Sequence, residues 1–205
     1  FTEFKADLPV VTRILLVVAD VLKSHGPLVA LVVIVLVVSL YLYVRTPAGK
    51  RRKDYFIIGL PLIGQVTRKL NIGRIARTMV ILVRAGVPLT EALKVIVQTT
   101  QNIAFQEGLV VVDNEVRQGR MLSQAFAAHT LFTPLLVQMT AVGEQTGRLE
   151  TNLETLADYY DQEADRSINR LTELIEPVLI IGAGGLVGFI AVSVVTPMYG
   201  IINQI

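Results

Sequence analysis

Cysteine and tryptophan are both absent from the 205 residues, and histidine occurs only twice. Without cysteine the chain has no disulfide bond, no thiolate metal site and no cysteine nucleophile. In a simple topology the two histidines, His25 and His129, lie on opposite sides of the first predicted membrane span. A metal site or proton relay built from both is therefore not expected.

Sequence motifs of common enzyme families are missing as well. There is no phosphate-binding G-x-x-x-x-G-K-[ST] loop, no G-x-S-x-G nucleophile turn and no H-E-x-x-H zinc motif. An intramembrane aspartyl protease would need acids within its spans, and the nearest are Glu173 and Glu176, at the edge of the second predicted span. We therefore predict no enzymatic activity, no catalytic residues and no cofactor.

Charge is missing from two long segments, and both are apolar. Residues 24–44 and 177–205 carry no formal charge, in a chain that is 52% hydrophobic with a mean hydropathy of +0.56. Either segment can cross a membrane, which takes a helix of about 20 residues. We predict an external segment at 1–23, a transmembrane helix at 24–44, a basic cytoplasmic linker at 45–66, a cytoplasmic helical bundle at 67–172 and a second transmembrane helix at 175–202.

A basic cluster follows the first predicted span directly: Arg45, Lys50, Arg51, Arg52 and Lys53. The positive-inside rule places such clusters in the cytoplasm, so the first 23 residues are expected outside. The alternative is a nucleic-acid patch, but the cluster adjoins a span and has few interleaved aromatic residues. We predict a multi-pass protein that contacts membrane lipid and does not bind nucleic acid.

Between the spans, apolar residues follow helical spacing throughout, and no alternating run predicts a strand. Helix ends are expected at Gly86, Gly119 and Gly147, first-turn prolines at Pro88 and Pro134, and N-caps at Ser123 and Thr133. The predicted fold class is all-α: two transmembrane helices that flank a cytoplasmic bundle of about six helices.

The last helix of the predicted bundle carries two parallel stripes. An apolar stripe at Leu149, Leu153, Leu156, Tyr160, Ala164, Ile168, Leu171 and Ile175 predicts a buried face. An acidic stripe follows one position along, at Glu150, Glu154, Asp158, Asp161 and Asp165. Like charges four residues apart repel by about 0.2–0.5 kcal/mol per pair. Two interpretations stay open for the acidic stripe: a solvated helix face, or a docking face for a basic partner.

Glu144 lies outside this stripe, between Gly143 and Gly147. Its carboxylate is predicted to accept from the unpaired amides that open the following helix, which makes these three residues a structural motif. An alternative is a divalent cation held by Glu144, Glu150 and Glu154, because hard cations prefer carboxylate oxygens. No fixed loop spacing supports such a site.

Glu176 and Pro177 open the second predicted span. Pro177 cannot donate a hydrogen bond to the carbonyl of Glu173, so the long helix is expected to bend there. Within the span, Gly184 and Gly188 form a G-x-x-x-G pattern that permits close approach of another helix. Close packing is expected at this pattern, and self-association through it is left open.

Several short motifs follow one another along the chain: LPVVTR (8–13), LPLIG (60–64), RIART (74–78), AGVPLTEAL (85–93), GRMLSQA (119–125), FTPLL (132–136), VGEQTGRL (142–149) and Glu176-Pro177. Together and in this order they resemble the motifs of one family, the inner-membrane platform proteins of type II secretion and type IV pilus assembly. Glu150 stands where the family often has aspartate. The resemblance covers nearly all of the chain but only the second half of the family pattern. Together with a first residue that is Phe1 rather than methionine, this suggests part of a longer polypeptide.

The resemblance implies a non-enzymatic platform in the bacterial inner membrane, with its helical domain in the cytoplasm. It implies contact with a cytoplasmic hexameric secretion ATPase, with pilin or pseudopilin subunits and with other inner-membrane assembly components. Such a platform couples ATPase motion to subunit extraction and fibre growth, and a homo-oligomer is expected. The alternatives are a transporter or permease subunit, whose spans usually carry polar residues at mid-depth, and an intramembrane protease. The motifs do not distinguish secretion from pilus versions.

Overall fold

A computed structural model describes residues 10–202 of the chain, which form nine helices. They are α1 (Val10–Arg45), α2 (Pro47–Gly59), α3 (Ile63–Arg84), α4 (Leu89–Thr99), α5 (Ile103–Arg117), α6 (Leu122–Ala127), α7 (Pro134–Thr146), α8 (Leu149–Glu173) and α9 (Ile175–Ile202). No strand occurs among the described residues, and the all-α fold class predicted from the sequence is confirmed. The first nine positions of the predicted external segment lie outside the described residues.

The chain divides into two compact units, Phe1–Leu42 with Thr172–Ile205 and Tyr43–Leu171. Two stretches of helix are long and apolar enough to span a membrane, namely His25–Arg45 and a part of Leu149–Val192. Because α8 is rich in charged residues, the apolar part of the second stretch lies in α9. The spans predicted from missing charge therefore correspond to two helices of sufficient length.

Both apolar helices have an irregularity close to a proline. In α1, His25 has non-helical dihedral angles (φ −125°, ψ 18°) two residues before Pro27. The helix is interrupted at Leu174, between α8 and α9 and three residues before Pro177, and the bend predicted at Pro177 stays a prediction. In each case proline lacks the amide that would continue the hydrogen-bond ladder.

The glycine pattern in α9 has no neighbour within the described part of the chain. A Cβ atom placed on Gly184 or Gly188 would meet no other atom within 4 Å. Close helix packing on this pattern therefore stays a prediction, and it would have to involve residues or chains beyond those described.

The second unit has one continuous apolar core, to which each of the helices α3 to α8 contributes buried side chains. Its largest fully buried side chains are Phe105, Phe126, Ile72, Met79, Leu93, Ile96, Leu109, Leu122, Leu136, Leu153, Leu156 and Val112. In the apolar stripe of α8, Leu149 is half-buried and the next four members are buried as far as Ala164, but Ile168 is 42% exposed and Ile175 is 54% exposed. The prediction of a fully buried stripe is thus wrong at its C-terminal end. Apolar spacing indicates that a helix face is shielded from water, but it does not specify which part of the protein or its surroundings shields it. Ile175 moreover belongs to α9 and not to α8.

Segment 45–66, expected to be a linker, is helical over most of its length and contributes to the unit. Thr46 caps α2 by accepting a hydrogen bond from the Gly49 amide, and Pro47 occupies the first turn. Asp54 is only 5% exposed, and its Oδ2 atom accepts from the Ile103 amide at 2.9 Å. The buried Asp54 anchors the basic helix α2 to the start of α5. With α2 included, the described part of this unit contains seven helices, α2–α8.

Most helix ends lie where local sequence signals predicted them. Gly86, Gly119 and Gly147 have φ angles of 78°, 88° and 68°, in the left-handed region that favours glycine. The Thr133 hydroxyl accepts a hydrogen bond from the Leu136 amide in the first turn of α7. Pro88 precedes the first residue of α4 as its N-cap instead of lying in the first turn, a shift of one position.

Candidate functional site

The acidic stripe of α8 faces a row of basic side chains on α3. At one end of the row, Arg84 binds two carboxylates: its Nε atom lies 2.6 Å from Oε1 of Glu150, and its Nη2 atom lies 2.9 Å from Oε2 of Glu154. All three side chains are 41–54% exposed. Hydrogen bonding to Glu150 and then to Glu154 raises the pKa of Arg84.

Arg77 repeats this arrangement two turns earlier in α3. Its Nη2 atom lies 2.6 Å from Oδ1 of Asp158 and 2.7 Å from Oδ2 of Asp161, and hydrogen bonding to Asp161 and then to Asp158 raises the pKa of Arg77. The helices approach closely here, because a Cβ atom on Gly73 would lie 3.1 Å from Oδ1 of Asp161 and 3.2 Å from the Cβ atom of Tyr160. Glycine at this position allows α3 and α8 to come within reach of the ion pairs.

A third basic residue of α3 extends the contact to an acid outside the predicted stripe. Lys69 Nζ donates to Oε2 of Glu163 at 2.9 Å and to Oγ of Ser167 at 3.0 Å. Lys69 and Glu163 are 25% and 20% exposed, so this pair is the most shielded of the three contacts. Hydrogen bonding to Lys69 lowers the pKa of the Glu163 carboxyl. We call these three contacts the α3–α8 charged face.

Four of the five predicted partner-binding acids are therefore paired inside the chain, and Asp165 is exposed with no ion pair recorded among the described residues. Sequence reasoning missed the basic residues that match them, namely Lys69, Arg77 and Arg84. Their spacing of eight and seven residues is about two helical turns, so they form a basic stripe on α3. The basic stripe on α3 and the acidic stripe on α8 both follow the period of a helix, and this common period could have predicted that they face each other.

Glu144 caps a helix, but not the one expected. Its Oε1 atom accepts from the Leu122 amide at 2.6 Å, and its Oε2 atom accepts from the Ser123 amide at 3.1 Å and from the Ser123 hydroxyl at 2.6 Å. The amides that it satisfies open α6, which precedes Glu144 in the chain, instead of α8, which follows it. The predicted N-cap role of Ser123 is also wrong: Met121 is the N-cap of α6 and makes no side-chain capping bond.

The glycines on either side of Glu144 shape the turn between α7 and α8. A Cβ atom on Gly143 would lie 2.8 Å from the Cα atom of Leu149, so the two helices touch through their backbones. Gly147 adopts the left-handed conformation, and the amides of Gly147 and Arg148 both donate to the Gly143 carbonyl. The predicted structural motif therefore combines a close approach, a left-handed cap and an anchor to α6.

The three weak metal candidates are not brought together. Glu144 binds α6, whereas Glu150 and Glu154 bind Arg84. Within the described residues, no group of three or more His, Cys, Asp or Glu side chains is arranged to hold a metal ion. The acids are close in sequence, but the turn at Gly147 directs Glu144 and the α8 acids to different helices.

These features define, over the described residues, an all-helical protein with two apolar helices long enough to span a membrane and with ionisable side chains that join helices of its second unit. Residues 75–197 match the family described as type II secretion system (T2SS), protein F. The match covers more than half of the chain, and the protein belongs to that family. The family resemblance seen in the sequence motifs is thereby confirmed.

Relatives occur in two kinds of machine. Type IV pilus assembly protein PilC of Thermus thermophilus is 34% identical over 205 residues, which are 100% of this chain and 50% of the relative. Type IV pilus assembly protein PilC of Myxococcus xanthus is 31% identical, with 100% and 49% covered. Type II secretion system protein F of Pseudomonas aeruginosa is 30% identical, with 100% and 50% covered. The chain spans about half the length of the curated relatives that it matches.

Proposed function

We propose that this chain forms the second half of an inner-membrane platform protein in a type II secretion or type IV pilus assembly machine. The observation that carries the proposal is similarity along the whole chain to proteins named for both machines. The helical unit Tyr43–Leu171, preceded and followed by apolar helices of membrane-spanning length, supports it.

The proposed role is mechanical and non-enzymatic. A cytoplasmic hexameric ATPase would act on the helical unit, and the spans would contact pilin or pseudopilin subunits and other assembly components, with the platform itself a homo-oligomer. Only Leu174 separates α8 from α9 in the chain, so a displacement of α8 has a short covalent route to the predicted span. Three ion-pair contacts between α3 and α8 favour movement of these helices together.

Deletion of the gene for the full-length protein tests this role. We expect fibre assembly or secretion to stop while pilin-like subunits accumulate unassembled in the membrane and the ATPase is still produced. Complementation with the wild-type gene is the control. Unchanged fibres and secretion in the deletion strain would overturn the proposal.

The proposed orientation is testable because the chain contains no cysteine. Single substitutions Thr2→Cys, Gln124→Cys, Gln162→Cys and Asn203→Cys would be labelled with an impermeant thiol reagent in spheroplasts. We expect positions 2 and 203 to be labelled in intact spheroplasts, and positions 124 and 162 only after lysis. Labelling of position 124 before lysis would reverse the proposed topology.

We assign the acidic stripe chiefly to the attachment of α8 to α3, and docking of a basic partner is a second candidate. Asp158 and Asp161 support the second candidate in one respect, since they remain 57% and 54% exposed although Arg77 binds them. A partner could therefore reach them, but only in competition with Arg77.

A charge exchange separates the two roles. Because Arg84 binds two acids, the triple variant Arg84→Glu with Glu150→Arg and Glu154→Arg keeps opposite charges across α3 and α8 but removes two acids from the stripe. If attachment is the role, this variant should retain thermal stability and partner capture, whereas Glu154→Arg alone should lose stability. Loss of ATPase capture by a stable triple variant would instead establish docking through the acids.

A further inference from the structure

One face of α2 is turned away from the bundle. Asp54 is buried and Ile58 packs against the core, whereas Arg52 and Phe56 lie on the opposite side of the helix. Phe56 is 68% exposed, which is the highest value among the large hydrophobic side chains described in residues 43–171. An aromatic ring so far out of the core needs another explanation than packing within the unit.

The exposed apolar character continues past the end of α2. Leu62 and Ile63 are 56% and 48% exposed, so three large hydrophobic side chains are in water within eight consecutive residues. Single exposed hydrophobic residues are common on soluble domains. A run of them beside charged residues instead indicates an interaction surface.

The charge of α2 selects an anionic occupant for that surface. Helix α2 has four consecutive basic residues, Lys50 to Lys53, and only one acidic residue, Asp54. Asp54 is buried and accepts a hydrogen bond from the start of α5. Glu107 of α5 holds Arg51 and Tyr55 on a different side of the helix, with distances of 2.9 Å to each. The outer face therefore presents Arg52 beside Phe56, a cation next to an apolar ring.

Chain continuity brings a membrane within reach of this face. Helix α2 begins at Pro47, two residues after α1 ends at Arg45, and the stretch of α1 from His25 onward has the length and composition of a span. Given the rise of a helix and the spacing of Cα atoms, Phe56 lies at most about 21 Å from Arg45. If α1 spans a membrane, the short connection lets α2 reach the lipid surface at the end of the span without help from another protein.

We propose that α2 lies on a phospholipid surface that contains acidic headgroups. Arg52 and its neighbouring cations contact headgroup phosphates, while Phe56, Leu62 and Ile63 at the start of α3 enter the boundary of the acyl chains. Interfacial helices combine these features, with a basic face and apolar rings held at the level of the headgroups. The contact would fix the height of the helical unit at the membrane.

The absence of tryptophan allows a direct test. The full chain with Phe56→Trp is reconstituted into vesicles of phosphatidylcholine, with or without phosphatidylglycerol, and with or without brominated acyl chains. Val142→Trp is the matched control, since Val142 is 49% exposed on α7 of the same unit. We expect the Phe56→Trp emission to shift to the blue and to be quenched by bromine when phosphatidylglycerol is present, and the Val142→Trp emission to do neither.

Charge variants in the Phe56→Trp chain test the recognition of acidic headgroups. Arg52→Glu should lower the equilibrium constant for contact of α2 with phosphatidylglycerol-containing bilayers, measured by bromine quenching of the Phe56→Trp emission, by at least about fivefold, since each basic residue near an anionic surface contributes to binding on that scale. Lys94→Glu, on the exposed side of α4, should leave it unchanged.

Three results would overturn the proposal. The first is a Phe56→Trp emission that stays unquenched and solvent-like, and the second is quenching that is insensitive to phosphatidylglycerol and to salt. The third is a blue shift without bromine quenching that grows with the protein-to-lipid ratio. That result would assign the face to a second copy of the chain.

Discussion

Carboxylates hold helices together in two regions of the same helical unit, and they do so in different ways. On the α3–α8 charged face, four carboxylates meet two arginines through short contacts whose partners are 37–57% exposed. At the corner between α6 and α7, the single carboxylate of Glu144 accepts three hydrogen bonds from Leu122 and Ser123, which are 0% and 6% exposed. The first region has more ion pairs, and the second has the less accessible donors.

Accessibility decides which region contributes more to stability. Exposed ion pairs contribute about 0.2–1 kcal/mol each, because water and salt screen them and long side chains lose freedom. Removing the acceptor from a buried donor leaves that donor unsatisfied at a cost of about 1–3 kcal/mol. The difference teaches that one carboxylate at a shielded helix start can outweigh several at the surface.

The largest effect is expected from Glu144→Ala. It leaves two amides and one hydroxyl at the start of α6 without their acceptor, and we expect a loss of about 2–4 kcal/mol in the free energy of unfolding. Thermal unfolding of the full chain in detergent measures it. Glu144→Gln keeps one acceptor oxygen and should lose less. Equal stability of wild type and Glu144→Ala would remove the distinction between the two regions.

The next effect compares two glycines, one from each region. At Gly143 an added Cβ would meet the Leu149 backbone at 2.8 Å, whereas at Gly73 the nearest atom is an Asp161 side-chain oxygen at 3.1 Å. Backbone atoms yield less than side chains, so Gly143→Ala should cost about 1–3 kcal/mol and Gly73→Ala should cost less. The same unfolding measurement applies, and a larger loss for Gly73→Ala would contradict the comparison.

A smaller effect is expected from Arg77→Ala on the charged face. Its two pairs are exposed, so the expected loss is about 1 kcal/mol or less, and it should shrink as salt is added. Unfolding of both variants across a salt series gives the comparison, with Glu144→Ala as the reference. A loss for Arg77→Ala that equals the reference and does not change with salt would show that the charged face is shielded.

The smallest effect concerns pH. Hydrogen bonding to Lys69 lowers the pKa of Glu163 in the folded protein. A lowered folded pKa stabilises the protein above the ordinary pKa of the unfolded carboxyl, and this contribution disappears as the pH falls through the folded pKa. Lys69→Met should therefore lower the melting temperature at pH about 7 but not well below pH about 4. Lys94→Met is the control, and a pH-independent loss for Lys69→Met would assign its effect to packing.

Local signals predicted the helix ends well. Gly86, Gly119 and Gly147 were predictable because a left-handed residue at a helix end is a property of one backbone position. The start of α7 at Thr133-Pro134 was predictable for the same reason. The basic segment 45–66 was predicted to be a linker because its charges indicated only a membrane topology. Its place in the helical unit depends on the buried Asp54, whose partner is the first amide of α5, 49 residues away.

The candidate site was only half predictable. Its acids appear in the sequence as a stripe on α8, but the arginines that bind them lie 66–84 residues earlier in the chain. The Glu144 carboxylate was expected to cap a helix, yet its acceptor atoms reach amides 21 and 22 residues back. Periodicity describes one helix at a time, and it does not say which helices face each other.

The sequence by itself determined the all-helical class, the two apolar segments, most helix ends and the family motifs. These depend on local backbone preferences, on missing charge and on residue order, all of which are properties of the linear chain. Tertiary structure alone decided that the acids of α8 bind α3, that Glu144 caps α6 and that α2 joins the unit while exposing Phe56. Those outcomes depend on which surfaces come together when the core is buried, because an ion pair or a cap between distant residues forms only after packing has placed both groups within a few ångströms.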